Sequence, residues 1–302
     1  MYMLGLKVLE LVGQLNKEII MGKYKLIFDS TVYLNEEILK KNNVSVASLN
    51  VIEGDNSYRE VDVSVQFIFD EQDKGKSWTT SQPAPGEFLE MYQEALAEGY
   101  EKVLVCGLSK DISGTYQSAN LAKNMLDNPD LVYIFDTQLC AFGSEMIAQE
   151  LIRFVNEGLE YDEIISKTNV LIKNSGQMFT VENLFSLVKG GRLSVARAAI
   201  GTVLRVKPII KVVDGQLKLD KSERTYKKVH KYILDTMDAT TKGYKVLNVY
   251  ITSQFSADSA NSIKEEVLDR FKDAKITYTE YLGPVFSIHV GRKGYGISWC
   301  YE

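Results

Sequence analysis

The stretch "KVLVCGLSKDISGTYQSA" runs from Lys102 to Ala119 and decides how the rest of the chain is read. Lys102 to Leu108 is a short apolar run, of the length and β-branched character of a strand buried on both faces. Ser113, Gly114 and Thr115 then stand where the chain turns from strand into helix. A hydroxyl at a helix start caps free N–H groups, and the same groups can instead receive an anion. Both readings stay open for Ser113 and Thr115 taken singly.

Working outward, the pattern repeats. Lys23 to Phe28 reads as a strand and "LNEEILKKN" as a helix; Val44 to Ile52 is expected to be a second strand, and Glu53 to Lys76 an irregular acidic segment. Gly86 to Gly99 carries Phe88, Leu89, Tyr92 and Leu96 on one helical face. Leu131 to Thr137 is strand, and Phe142 to Gly158 and Tyr161 to Lys173 are helices. Apolar strands alternating with helices predict an α/β fold, with a mostly parallel N-terminal sheet covered by helices on both faces.

In such a sheet a ligand sits beyond the carboxyl ends of the strands. Those ends read Asp29, Ser30, Thr31; Ser109 to Thr115; and Asp136 to Gln138. A further loop, "TTSQPAPGEF" (Thr79 to Phe88), has its backbone restrained by Pro83 and Pro85, which leaves Thr80 and Ser81 free to face a ligand. Two hydroxyl-rich loops at one sheet edge suit a carboxylate or a phosphate.

The pattern changes near Gln177. A strand, a short helix with Leu184, Phe185 and Leu187, and "KGGR" (Lys189 to Arg192) lead into β-prone runs separated by Asp214-Gly215, a hairpin signal. Helix, strand, helix and strand follow, ending in "GPVFSIHVGRKGYGISWCYE". The expected organisation is an N-terminal α/β domain over 21–176 and a C-terminal mixed α+β domain over 177–302. Residues 1–20 read as an amphipathic appendage, with Leu4, Val8, Leu11, Leu15 and Ile19 at helical spacing.

Composition bounds the function. With 302 residues, 45% hydrophobic and 25% charged, the chain is globular rather than disordered or fibrous. Three widely spaced cysteines offer neither a disulfide framework nor a zinc site, and a cytoplasmic setting is the default. No apolar run is long enough to span a membrane. The net charge is −5, yet Lys189 to Lys231 holds twelve Lys/Arg against three Asp/Glu. That stretch is either a solvated surface or a docking surface for an acidic partner or phosphorylated ligand. An overall pI near 5.4 and the lack of a recognised module argue against nucleic acid.

"TSQPAPGEF" (Thr80 to Phe88), "SGTYQSA" (Ser113 to Ala119), "LVKGGRLS" (Leu187 to Ser194), "KPII" (Lys207 to Ile210), "ERT" (Glu223 to Thr225) and "GPVFSIHVGRKGYG" (Gly283 to Gly296) together resemble the DegV family of bacterial fatty-acid-binding proteins, from about Lys23 to the C-terminus. The resemblance implies a lipid-binding, non-catalytic subunit of a fatty acid kinase: it would hold one long-chain fatty acid and present the carboxyl group to an ATP-binding partner that makes acyl phosphate for phospholipid synthesis. It further implies that Thr80, Ser113 and His289 hold the carboxylate; Ser30, Ser81, Gly114 and Thr115, on the same loop ends, are additional candidate pocket positions from the residues themselves. Arg192 and Arg224 would lie on the kinase-facing side. No cofactor and no metal are implied. Two departures fall at Ser109-Lys110-Asp111, where the family often reads serine-serine-glycine, and at Gly291-Arg292-Lys293, where it often reads glycine-proline-glycine.

An enzyme reading stands beside it: Ser113 or Ser81 as nucleophile, His289 as base and Asp29 as orienting acid would make an acyl hydrolase or acyltransferase. Neither a GxSxG elbow nor a GxxxxGK[ST] phosphate loop is present. His230, in a lysine-rich helix, is expected at the surface, and "GRKGYG" (Gly291 to Gly296) is expected to be a flexible rim rather than a dinucleotide loop.

Overall fold

The structure, a computed structural model, describes residues 23–181, 184–193, 206–254 and 257–302. Residues 1–20 therefore lie outside the described residues. Strands β1 (Tyr24–Asp29), β2 (Ser45–Ala47), β6 (Lys102–Gly107) and β7 (Val132–Asp136) form a four-stranded parallel sheet in the order β2-β1-β6-β7. Alternation along β1 decides what covers each face. Tyr24, Leu26 and Phe28 pack with Leu104 and Phe135 against helices α5 (Phe142–Asn156) and α6 (Tyr161–Lys173). Ile27, Val103 and Val105 pack against α3 (Pro85–Ala97) and α4 (Thr115–Lys123) on the other face. The expected α/β sheet with helices on both sides is what forms.

Two expectations in the first half fail. Val44 to Ile52 is not one strand: β2 ends at Ala47, and β3 (Asn50–Glu53) belongs to a separate antiparallel sheet, β4-β3-β5, with β4 (Asn56–Arg59) and β5 (Thr79–Ser81). The break is fixed by the backbone at Ser48 and Leu49, where the Leu49 N–H donates to Ser30 Oγ at 3.0 Å and Ser48 Oγ to Leu49 O at 2.9 Å. The segment Glu53 to Lys76 is likewise ordered. It holds the turn and second strand of the β3–β4 hairpin, the helix α1 (Glu36–Lys41) precedes it, and α2 (Val65–Asp73) closes it, capped by Ser64 Oγ on the Phe67 N–H.

The second half is a six-stranded mixed sheet, order β10-β9-β8-β13-β11-β12: β8 (Ser175–Val181), β9 (Lys207–Val213), β10 (Gln216–Glu223), β11 (Leu247–Gln254), β12 (Lys275–Thr279) and β13 (Gly294–Tyr301). Helices α8 (Tyr226–Thr240) and α9 (Ala257–Arg270) cover one face, in a core with Ile251, Ile297 and Trp299. Asp214 (φ 51) and Gly215 (φ 76) turn β9 into β10 in the left-handed conformation that the sequence signalled. The second half of the "GRKGYG" stretch, Gly294 to Gly296, is strand rather than a flexible rim. Gly294 and Gly296 open β13, an interior strand, because a Cβ at Gly294 would meet Thr180 O and one at Gly296 the Phe142 ring. Two short helices complete the fold: α7 (Phe185–Lys189) and α10 (Pro284–Val290).

His230 is not at the surface. It is 2% exposed on α8, with Nδ1 2.7 Å from Glu266 Oε1 of α9. Among the described residues, no helix is long and apolar enough to cross a membrane, and no group of three His, Cys, Asp or Glu is placed to hold a metal ion. Cys106, Cys140 and Cys300 are buried and unpaired.

Candidate functional site

The four-stranded sheet, the small antiparallel sheet and α10 meet at one small cavity. Thr31, Leu49, Thr80, Leu108, Ile112, Ser113, Cys140, Leu187, Arg192, Leu217, Val285, Phe286 and His289 line it. The cavity is about 30 Å³, and most of its wall is apolar. It therefore gathers Thr80, Ser113 and His289, which are far apart in sequence.

Each polar group is held by its own element. Thr80 lies on β5, opposite Val51 of β3. Ser113 lies in the loop between β6 and α4; its N–H donates to Ser109 O at 3.2 Å, and its Oγ accepts from the Thr115 N–H at 3.3 Å and sits 2.9 Å from Thr115 Oγ1. Gly114 brings this loop against the one after β5, since a Cβ there would stand 2.8 Å from Gln82 Nε2. His289 rides on α10, whose first turn is fixed by the Val285 N–H donating to Glu60 Oε1 at 2.8 Å and the Phe286 N–H donating to Tyr33 Oη at 3.1 Å. Thr80 Oγ1 and His289 Nε2 are 2.9 Å apart.

The electrostatics favour a neutral histidine beside a cation. Burial, and then the neighbouring Arg192 charge, push His289 down to about 4. Arg192 donates to Gly190 O, and Gly190 leaves no room between the chain and the His289 ring, because a Cβ there would be 2.5 Å from Nδ1. Arg192, expected on the partner-facing side, is thus part of the cavity wall. Arg224 is exposed at the end of β10 and does not line it.

The remaining expected positions divide. Thr115 is buried behind Ser113. Ser81 is half-buried on β5, one residue from Thr80 and so on the opposite face of the strand, and is not in the cavity wall. Ser30 is also outside it: buried, it donates to Glu60 and accepts from Leu49 N–H. The triad of the enzyme reading is not assembled. Asp29 accepts from the Thr31 and Leu108 N–H groups at 2.9 and 2.8 Å, and among the described residues no carboxylate pairs with His289.

Glu60 was missed in the sequence. It is 3% exposed, and burial, opposed by the donors Ser30, Val285 N–H and Tyr33, pushes it up to about 7. Its position inside a run of acidic residues hid it. With Asp29, pushed up to about 6 by burial, and Glu145, pushed up to about 7 by burial, it walls a second and larger cavity of about 620 Å³.

Fold and site define an α/β protein with a pair of hydroxyls set against an apolar wall. A family model described as an uncharacterised protein of the DegV family matches residues 23–302, and the chain belongs to that family. A DegV domain-containing protein of Listeria innocua is 31% identical over 281 residues, covering 92% of this chain and 98% of that one. A fatty-acid-binding DegV family protein of Thermus thermophilus has a TM-score of 0.83 at 29% identity, covering 93% of this chain and 100% of the other. DegV of Bacillus subtilis, described as a fatty acid binding protein, has a TM-score of 0.79 at 28% identity, with 93% and 100% covered.

Proposed function

We propose that this protein binds one long-chain fatty acid, holds its carboxylate with Thr80, Ser113 and Arg192, and presents that group to an ATP-using kinase that forms acyl phosphate. The observation that carries the reading is the pairing of Thr80 with His289 at 2.9 Å in the same wall as Ser113. A carboxylate only accepts hydrogen bonds, so each hydroxyl must have its proton free. His289 Nε2–H donating to Thr80 Oγ1 leaves the Thr80 proton for the ligand, and the Thr115 N–H on Ser113 Oγ does the same for Ser113. Arg192 supplies the charge.

The choice between cavities follows from sign. The larger one is walled by Asp29, Glu60 and Glu145 and sets no cation beside a carboxylate; the smaller one offers hydroxyls and a guanidinium. Behind the clamp, Leu187, Leu217 and Phe286 belong to an apolar cluster with Phe142, Phe179 and Ile210, which can part to take the acyl chain. Each buried methylene contributes about 0.8 kcal/mol. The solved relatives of Thermus thermophilus and Bacillus subtilis, both described as fatty acid binding, support the ligand class.

The geometry favours holding over covalent chemistry. A histidine pushed down to about 4 is a poor base at neutral pH, and Ser113 is engaged with Thr115. Mass spectrometry of lipid extracted from the purified protein tests the ligand: one fatty acid per chain is expected. Mixing the loaded protein with ATP and candidate kinases then tests the second step, with acyl phosphate trapped as the hydroxamate.

A further inference from the structure

A cavity of about 30 Å³ has room for water but not for a long acyl chain. An acyl chain is admitted only if a wall moves, and the walls are not equally fixed. The first turn of α10 is pinned from below by Glu60 and Tyr33. Leu108 and Thr31, at the ends of β6 and β1, are tied to the buried Asp29 carboxylate. Leu217 belongs to β10, the edge strand of its sheet, which among the described residues pairs with β9 along its length and is otherwise held only by one isolated bridge from Leu217 to Leu193.

One side chain joins that edge hairpin to the loop that carries Ser113. Ser109 Oγ donates to Gly215 O at 2.8 Å, across 106 positions, in a buried bond. The same oxygen accepts from the Asp111 N–H at 3.2 Å. The Ser109 carbonyl accepts from the Ile112 and Ser113 N–H groups at 3.1 and 3.2 Å, and both of those residues line the cavity. Gly215 is the second residue of the β9–β10 turn. A Cβ there would lie 2.5 Å from Ser109 Oγ and 3.1 Å from Asp111 Oδ2, so turn and loop are in direct contact. Two residues further on, Leu217 lines the cavity.

We propose that the β9–β10 hairpin is the gate through which the fatty acid loads and leaves, and that the Ser109–Gly215 hydrogen bond is its latch. The proposal rests on the fatty-acid reading above. With the bond closed, Leu217 seals the apolar wall. With it open, the hairpin swings on β9 and exposes Leu187 and Phe286 without disturbing Thr80, His289 or the four-stranded sheet. Ser109 is a positioning residue: it acts on the ligand through the turn and through Ser113.

The test is the exchange rate of cis-parinaric acid, a fluorescent fatty acid, on the delipidated full chain by stopped flow. Ser109→Ala is expected to speed both loading and release about tenfold, the factor that one net hydrogen bond of the closed state carries, while Kd changes less than about threefold. A second variant locks the hairpin. A Cβ at Gly215 would stand 3.7 Å from Asp111 Cβ, the separation a disulfide spans, and would displace Ser109 Oγ, so the pair replaces the hydrogen-bonded latch with a covalent one. Asp111→Cys with Gly215→Cys, oxidised, is expected to slow exchange at least about tenfold and to recover on reduction. Unchanged rates in Ser109→Ala overturn the latch, and unchanged rates in the oxidised pair overturn the gate. Should the pair fail to fold or to oxidise, Ser109→Ala decides alone. If the unmodified protein does not bind cis-parinaric acid at all, the fatty-acid reading itself fails, a result distinct from either of these.

Discussion

Thr80 and His289 stand 2.9 Å apart although 209 positions separate them. The pairing joins β5 of the small sheet to α10, and Glu60 is what sets the height of α10 by accepting from the Val285 N–H. In the proposed clamp the histidine fills an acceptor site on Thr80. His289→Ala should therefore weaken fatty-acid binding about tenfold, by freeing Thr80 to rotate away. His289→Gln, whose amide can donate in place of Nε2–H, should recover much of the loss. Because His289 is already neutral above about 4, wild-type affinity should carry no histidine titration between pH 6 and 8. Equal losses in both variants, or a titration near 6.5, would contradict this role.

Thr80→Val and Ser113→Ala each remove one donor from a largely buried anion. Each should cost about 1.5 to 3 kcal/mol of binding, or roughly ten- to more than a hundredfold. The double variant should lose less than the sum, because both hydroxyls serve one head group. Calorimetric titration of delipidated protein with a fatty acid and with its methyl ester is the measurement. The ester lacks the charge and should bind wild type far more weakly than the acid; similar affinities would sink the clamp.

The two arginines should separate by position. Arg192 is half-buried in the cavity wall, so Arg192→Ala should weaken fatty-acid binding itself, by about tenfold or more. Arg224 is exposed at the end of β10, so Arg224→Ala should leave fatty-acid affinity within about twofold and lower acyl-phosphate formation with a matched kinase. The Arg224 effect should shrink as salt rises, since an exposed charge is screened. Loss of fatty-acid affinity in Arg224→Ala would place that residue in the fold or the pocket instead.

The parallel sheet was legible because period and length agree: each of β1, β6 and β7 is an apolar run followed by a helix. The residues of the proposed clamp could be picked out by resemblance, as the loops of Thr80 and Ser113 and the helix of His289 each keep a recognisable string, and the structure brings them to one cavity. What local pattern does not carry is the destination of a side chain. His230 sits among lysines, yet α8 turns it inward because α9 brings Glu266 to meet it. Val44 to Ile52 has uniform strand character, yet it is divided between two sheets by hydrogen bonds to Ser30 and within Ser48-Leu49, contacts set by tertiary structure. Gly294 and Gly296 read as loop glycines, whereas β13 needs them for close packing against Thr180 and Phe142.

Glu60 gives the last prediction, in which stability rather than binding is read. Its carboxyl is pushed up from the ordinary 4.5 to about 7, first by burial, against the donors Ser30, Val285 N–H and Tyr33, with the Asp29 charge adding to the rise. The folded protein then binds this proton more tightly than the unfolded chain. Its contribution to stability is complete below about 4.5 and is lost as pH rises through about 7. Glu60→Gln keeps an oxygen for Val285 N–H and Tyr33 and offers an N–H to Ser30, but does not titrate. The stability difference, wild type minus Glu60→Gln, should therefore fall by about 2 to 3 kcal/mol between pH 4.5 and 7 and level off above that. Subtraction removes the parallel contributions of Asp29 and Glu145 and the opposite one of His289, which is pushed down to about 4 and makes stability fall as pH drops from 6.5. Urea unfolding of both proteins across this range is the check. A difference that stays flat, or that grows with pH, would mean that Glu60 is ionised throughout and that its three donors outweigh its burial.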